Sequence, residues 1–188
     1  MMPGRLEIIA GPMFSGKTTT LIARVSEWAL ERGGKIAVFK PVTDTRHSES
    51  AIISHDGRKI PAKWLERDAR DLPHDVDLIA LDEVQFFSFD AVPRIVEALS
   101  AGVNVFAAGL DLTYRAEPFG PMPALLALAD GVTKLTSRCS KCHQPASRSQ
   151  RLISTPRGVT GDTVLVGGAG TYEPRCVACF DPRGGEGA

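Results

Sequence analysis

The sequence predicts an α/β protein: a parallel sheet with helices on both faces, a phosphate-binding loop at its first strand, and a small metal-stapled appendage. Three observations carry this. Short, almost continuously apolar runs alternate with segments of helical period, which is how strands buried in a parallel sheet and their crossover helices read. Gly11-Pro12-Met13-Phe14-Ser15-Gly16-Lys17-Thr18 fits G-x-x-x-x-G-K-[ST], between a predicted strand and a predicted helix. Cys139-Ser140-Lys141-Cys142 and Cys176-Val177-Ala178-Cys179 are two C-x-x-C knuckles.

In order, residues 6–10 form the first strand and 16–32 a helix whose apolar positions Leu21, Ile22, Val25, Trp28 and Ala29 recur at helical spacing. Gly33-Gly34 stops it. A second strand over 35–40 ends at Pro41. Residues 43–57 are polar, carry Asp44, Arg46, His47, His55 and Asp56, and lack periodicity, so they read as a loop. A buried strand over 77–82, a helix over 89–101, a strand over 103–109, a short helix over 122–129 and a last strand over 132–135 complete the alternation. Right-handed crossovers join such strands. Around Ser137 the character changes to paired cysteines and polar residues without helical period. The expected division is a nucleotide-binding domain over 1–137, a zinc-binding unit over 138–183 and a loose tail over 184–188.

Composition narrows the function. In 188 residues, 22 Lys plus Arg balance 22 Asp plus Glu, so no overall field favours nucleic acid or an anionic membrane. No apolar run reaches the length of a membrane span. Met1 to Arg5 lead straight into a strand, so no signal peptide is expected, and the expected compartment is the cytoplasm. In a reducing compartment, four cysteines in two tight pairs point to metal before disulfides.

Each fixed residue of the loop has a physical task. Gly11 and Gly16 let backbone N–H groups approach phosphate oxygens, and Pro12, Met13, Phe14 and Ser15 form the arch between them. Lys17 reaches the β- and γ-phosphates, and the Thr18 hydroxyl is a Mg²⁺ ligand. Asp82, after four apolar residues, is the acid expected to order that metal directly or through water. Glu83 is the candidate base for an attacking hydroxyl. Gln85 and Phe86 supply an amide and a ring that could meet a pyrimidine edge and face, although Phe86 and Phe87 could equally be core. The two knuckles supply four soft ligands with no open position, implying a structural Zn²⁺ held by Cys139, Cys142, Cys176 and Cys179. His143 is a weaker alternative ligand; His47 and His74 read as surface residues.

Taken together, these motifs resemble the zinc-containing, RecA-like (type II) thymidine kinase family. Besides the G-P-M-F-S-G-K-T loop, the likeness rests on Lys40-Pro41 with Asp44 and Arg46, on Ser54-His55-Asp56-Gly57 and on Asp82-Glu83-Val84-Gln85-Phe86. It continues through Gly109-Leu110-Asp111 with Tyr114 and Pro118-Phe119, and Val166-Gly167-Gly168 with Tyr172 and the second cysteine pair. The matches run in order from about Leu6 to Cys179. The resemblance implies transfer of the ATP γ-phosphate to the 5′-hydroxyl of thymidine, and of deoxyuridine, in pyrimidine deoxynucleotide salvage. It implies Glu83 as base, Arg46 and Lys17 as phosphate-charge residues, and a nucleoside pocket of Met13, Phe86, Leu110, Tyr114, Ser149 and Tyr172. It further implies a lasso-like lid, a homotetramer and feedback inhibition by dTTP. Val84 stands where the family often has Ala; Ala169-Gly170-Thr171 replaces a stretch that often carries an acid and a lysine, a change expected to loosen the closing loop.

Two other readings compete. A RecA-type nucleic-acid motor also combines a P-loop with zinc knuckles but needs basic DNA-contacting loops and a larger chain. A non-catalytic nucleotide sensor would have little use for Glu83 beside Asp82.

Overall fold

In a computed structural model the described residues are 2–42, 51–54, 57–152 and 170–183. The alternation of apolar strand and amphipathic helix produces a six-stranded parallel sheet. Its strands are β1 (Leu6–Ala10), β2 (Ile36–Pro41), β5 (Lys63–Leu65), β6 (Leu78–Leu81), β7 (Asn104–Gly109) and β8 (Gly131–Lys134), in the order β5-β2-β6-β7-β1-β8. Registers such as Ile8 opposite Ala107 and Val38 opposite Ala80 put the residues of each strand level with their neighbours.

Period-two side-chain alternation builds two cores from these strands. From β1, Leu6, Ile8 and Ala10 enter one core and Ile9 the other; from β6, Ile79 and Leu81 part from Leu78 and Ala80. Helix α1 (Lys17–Arg32) seals one core with Leu21, Ile22 and Val25. Helices α2 (Ala91–Ser100) and α3 (Met122–Leu128) seal the other with Ile95, Ala98, Met122 and Leu125. Because both faces are covered, the strands read as continuous apolar runs. Replacing Ile95 (1% exposed) with Ala is expected to cost about 2–5 kcal/mol, through lost transfer energy plus a cavity. Urea unfolding measures this; turnover per folded molecule should not change, because Ile95 lies in the core and away from the loops at the strand ends.

Three details differ from the sequence reading. Part of the expected 43–57 loop is strand: β3 (Ala51–Ile53) pairs antiparallel with β4 (Lys59–Pro61), Ile52 facing Ile60. The short apolar run Ala51-Ile52-Ile53 was its signal. Residues 43–50 and 55–56, and with them Arg46, lie outside the described residues. Strand β5 had no sequence signature, since three residues cannot display a period. Pro41 is the last residue of β2 and does not merely follow it. Its missing N–H costs nothing there, because β6 pairs with β2 only as far as Phe39, and Pro41 lies opposite Leu65 of the short edge strand β5.

Beyond β8 the strands of the described residues form two-stranded pairs: β9 (Ser137–Arg138) with β10 (Pro145–Ala146), and β11 (Arg148–Arg151) with β12 (Tyr172–Arg175). No helix of the described residues is long and apolar enough to cross a membrane.

Candidate active site and metal centre

Parallel strands deliver their following loops to one edge of the sheet, outside their carboxyl ends. Here the loops after β1, β6 and β7 meet, bringing residues 11–18, 82–86 and 110–119 together.

The loop after β1 leaves α1 uncapped in a particular way. Gly16 sits at the N-cap with φ 83°, offers no side-chain cap, and no acid occupies the first turn. The first helical N–H groups and the positive end of the helix dipole are therefore left for an external anion. Phe14 adopts φ 61°, an uncommon backbone state for a non-glycine residue, and is partly exposed at the crest. A Cβ at Gly11 would stand 2.7 Å from the Leu135 carbonyl oxygen, so the arch needs glycine. Among the described residues Ser15 Oγ is buried without a hydrogen-bond partner.

Lys17 Nζ donates to the Pro12 carbonyl at 2.8 Å. Burial lowers its pKa, opposed by the nearby charges of Glu83, Asp82 and Asp111. Thr18 Oγ1 donates to Asp82 Oδ2 at 3.0 Å, pairing a hydroxyl and a carboxylate, both hard oxygen donors suited to Mg²⁺. Burial, then the charge of Glu83, pushes Asp82 up to about 7, against hydrogen bonds from Thr18 and the backbone. A cation at these oxygens would offset that repulsion. The buried Asp111, named from sequence only as part of the Gly109-Leu110-Asp111 match, adds a third carboxylate and pairs with Lys134 at 3.0 Å.

Glu83 follows β6 with φ 54°, and this left-handed turn separates its direction from that of Asp82. It borders two cavities. One, about 280 Å³, is lined by Met13, Gly16, Lys17, Thr18, Ser54 and Leu110. The other, about 420 Å³ and within the ordinary range for small-molecule sites, is lined by Met13, Phe86, Leu110, Tyr114, Ser149 and Tyr172, with Arg67 and Phe119. Phe86 meets Phe119 edge-on with centroids 5.6 Å apart, and Phe87 belongs to the core. The guanidinium groups of Arg115 and Arg151 both lie over the Tyr114 ring, 5.3 and 5.0 Å from its centre. Arg67 and Arg151 were not singled out from sequence, because nothing local distinguishes them from other arginines, and Phe119 was named only as part of the Pro118-Phe119 match, with no role attached. Gln85 also lines the second cavity, and both ends of its amide are engaged, with Glu83 and with the Leu110 backbone.

The arch also touches the cysteine-bearing unit. Met13 N donates to Ser149 Oγ at 2.9 Å, and Ser137 Oγ, just before that unit, donates to the Phe14 carbonyl at 3.2 Å. In that unit the sulfurs of Cys139, Cys142, Cys176 and Cys179 lie within 4.8 Å of one another. Four thiolates around one ion at about 2.3 Å make such a closed tetrahedral set, so the donors fit structural Zn²⁺. Burial pushes the Cys139 thiol up, but backbone N–H groups of Cys142, Cys176 and Lys141 outweigh it and bring it to about 5. Hydrogen bonding with Cys142 and Cys176 pushes Cys179 up to about 12; a dication would displace such protons. His143 is not in this group; it takes φ 62° and donates its backbone N–H to the Cys139 carbonyl.

With this geometry in view, comparison with known proteins is decisive. The model of the family described as "Thymidine kinase" matches residues 4–180. The chain belongs to the thymidine kinase family. Among its relatives in that family, a protein of Deinococcus deserti named thymidine kinase is 47% identical over 190 residues, covering 92% of each chain. A thymidine kinase of Deinococcus radiodurans is 43% identical over 197 residues, covering 97% of this chain and 92% of its own. Family membership spans both the sheet that carries the phosphate loop and the unit that carries the cysteines.

Proposed function

We propose that the chain transfers the γ-phosphate of ATP to the 5′-hydroxyl of thymidine, and of deoxyuridine, giving dTMP for pyrimidine deoxynucleotide salvage. The observation that carries this is the place of Glu83, at the junction between a cavity bordered by Lys17 and Thr18 and one walled by Phe86, Tyr114 and Tyr172. A base there has phosphate on one side and a nucleoside on the other.

In this reading Gly11 to Thr18 cradle the phosphates, with Lys17 at the β- and γ-oxygens. Thr18 and Asp82 are the residues that would hold Mg²⁺, as their facing oxygens at 3.0 Å suit. Bound Mg²⁺ supplies charge neutralisation at the phosphate oxygens. Met13, Phe86, Leu110, Tyr114, Ser149 and Tyr172 hold the base and sugar. Glu83 takes the 5′-hydroxyl proton as that oxygen forms its bond to the γ-phosphorus, and the bond to the β–γ bridging oxygen breaks to release ADP. Arg46, outside the described residues, is assigned to the phosphate charge that develops during transfer. The organisation that goes with this is a nucleotide-binding domain over 1–137 and a zinc-clipped lid unit over 138–183. A homotetramer, feedback inhibition by dTTP and a cytoplasmic location complete the proposal.

ADP release from Mg-ATP tests it. Purified protein should release ADP with thymidine, with dTMP appearing in equal amount, and not with deoxycytidine or single-stranded DNA. Stimulation by DNA and not by thymidine would move the chain to the motor class.

A further inference from the structure

Gln85 occupies the short 3-10 turn Val84–Phe86 directly after Glu83, and it is 2% exposed. Its Nε2 donates to Glu83 Oε2 at 2.5 Å, and its Oε1 accepts from the Leu110 backbone N–H at 2.9 Å. The orientation of the amide follows from the partners. A backbone N–H can only donate, so the carbonyl end must face Leu110 and the NH₂ end must face the carboxylate. Backbone packing holds the residue in this place. A Cβ at Gly109 would stand 2.7 Å from Gln85 Oε1, and one at Gly120 would stand 2.3 Å from the Gln85 carbonyl oxygen. Two glycines thus make room for one glutamine, on either side of it.

Glu83 itself is exposed and stands on left-handed backbone, uncommon for a non-glycine residue. Among the described residues, the Gln85 amide is its hydrogen-bond partner. Leu110, at the other end of that amide, borders both cavities, as Glu83 does. We propose that Gln85 is the positioning residue of the active site: it fixes the Glu83 carboxylate through Oε2, leaves Oε1 turned to the incoming hydroxyl, and ties the base to the nucleoside wall at Leu110. The proposal rests on Glu83 being the base. It assigns the amide a task quite different from reading a pyrimidine edge.

The substitution that separates this from a packing role is Gln85→Glu. The new carboxylate can still accept from Leu110 N–H, but it has no donor for Glu83 and repels it. The expected result is a fall of about 10²-fold in kcat, the order expected when a reacting group is misplaced by about an ångström, with thymidine KM nearly unchanged. Gln85→Met, uncharged and of similar length, is the second variant; it should lose kcat by a comparable factor, and it carries the test if Gln85→Glu does not fold. The double variant Glu83→Gln/Gln85→Glu restores a donor–acceptor pair with the roles exchanged. It should recover the thermal midpoint lost by Gln85→Glu while its turnover stays at that of Glu83→Gln alone. Folded Gln85→Glu or Gln85→Met with near wild-type kcat, or kcat losses that multiply in the double variant, would overturn the proposal. The base assignment has its own failure: near-normal turnover of Glu83→Gln. A slow Glu83→Gln beside a fast Gln85→Met would remove the positioning role and leave the base in place.

Discussion

Glu83→Gln should leave ATP and thymidine binding nearly intact and lower turnover by about 10²–10⁴-fold, the usual contribution of a positioned acid or base. The amide keeps the size of the carboxylate and can still accept the Gln85 Nε2 hydrogen bond that Glu83 Oε2 accepts at 2.5 Å. What it cannot do is take a proton from the nucleoside hydroxyl. Because Glu83 is exposed at the rim and outside both cores, no fold penalty should accompany the change. Steady-state kinetics with thymidine, alongside equilibrium binding of each substrate, separates the two quantities. Turnover within a few-fold of the unaltered chain would refute the assignment of the base.

The second large effect is expected at the cysteines. Cys139 is fully buried, and its neighbours are bound to it by backbone: His143 N donates to its carbonyl, and its own N–H donates to the Gln144 carbonyl. Cys139→Ser replaces a soft thiolate by a hard, weakly acidic hydroxyl, a poor ligand for Zn²⁺. Even outer-shell changes at metal sites cost about 10–100-fold in metal affinity or activity, so loss of a ligand should reach at least that. Zinc analysis of the purified variant should show the metal lost, with thymidine affinity reduced. The reduction follows from the position of Ser149 and Tyr172, which line the cavity proposed for the nucleoside from β11 and β12, the pair that Cys176 follows. A variant that keeps stoichiometric zinc, or one that loses zinc with thymidine affinity unaltered, would break that chain of argument.

What could be read from the sequence was what is local. The phosphate arch is eight consecutive residues with glycine where the backbone turns left-handed at Gly16, and Asp82 stands immediately after the apolar strand that carries it. The cysteine pairs advertise their chemistry by spacing alone. Strand order was not legible, because placing β6 between β2 and β7 depends on which edge each crossover reaches. Strand β5 was hidden by its three-residue length, and β3 by the polar residues on either side of Ala51-Ile52-Ile53. At the site, Gln85 shows the same division. Its presence beside Glu83 was plain, but the direction of its amide depends on the φ of 54° at Glu83 and on an N–H at Leu110, 25 positions away. Asp111 was named in a motif but given no role for a similar reason, since its ion pair with Lys134 joins the ends of two strands that are not neighbours in the sheet.

Met13 belongs to both halves of the site. Its side chain borders both cavities, while its amide is committed to Ser149 Oγ in the cysteine-bearing unit. A shift of this one residue would alter the walls of both cavities. Thermodynamic linkage makes any such influence mutual: whatever factor ATP contributes to nucleoside affinity, the nucleoside must return to ATP. Under the proposed reading, that factor is what a comparison of nucleoside affinity with and without ATP would measure.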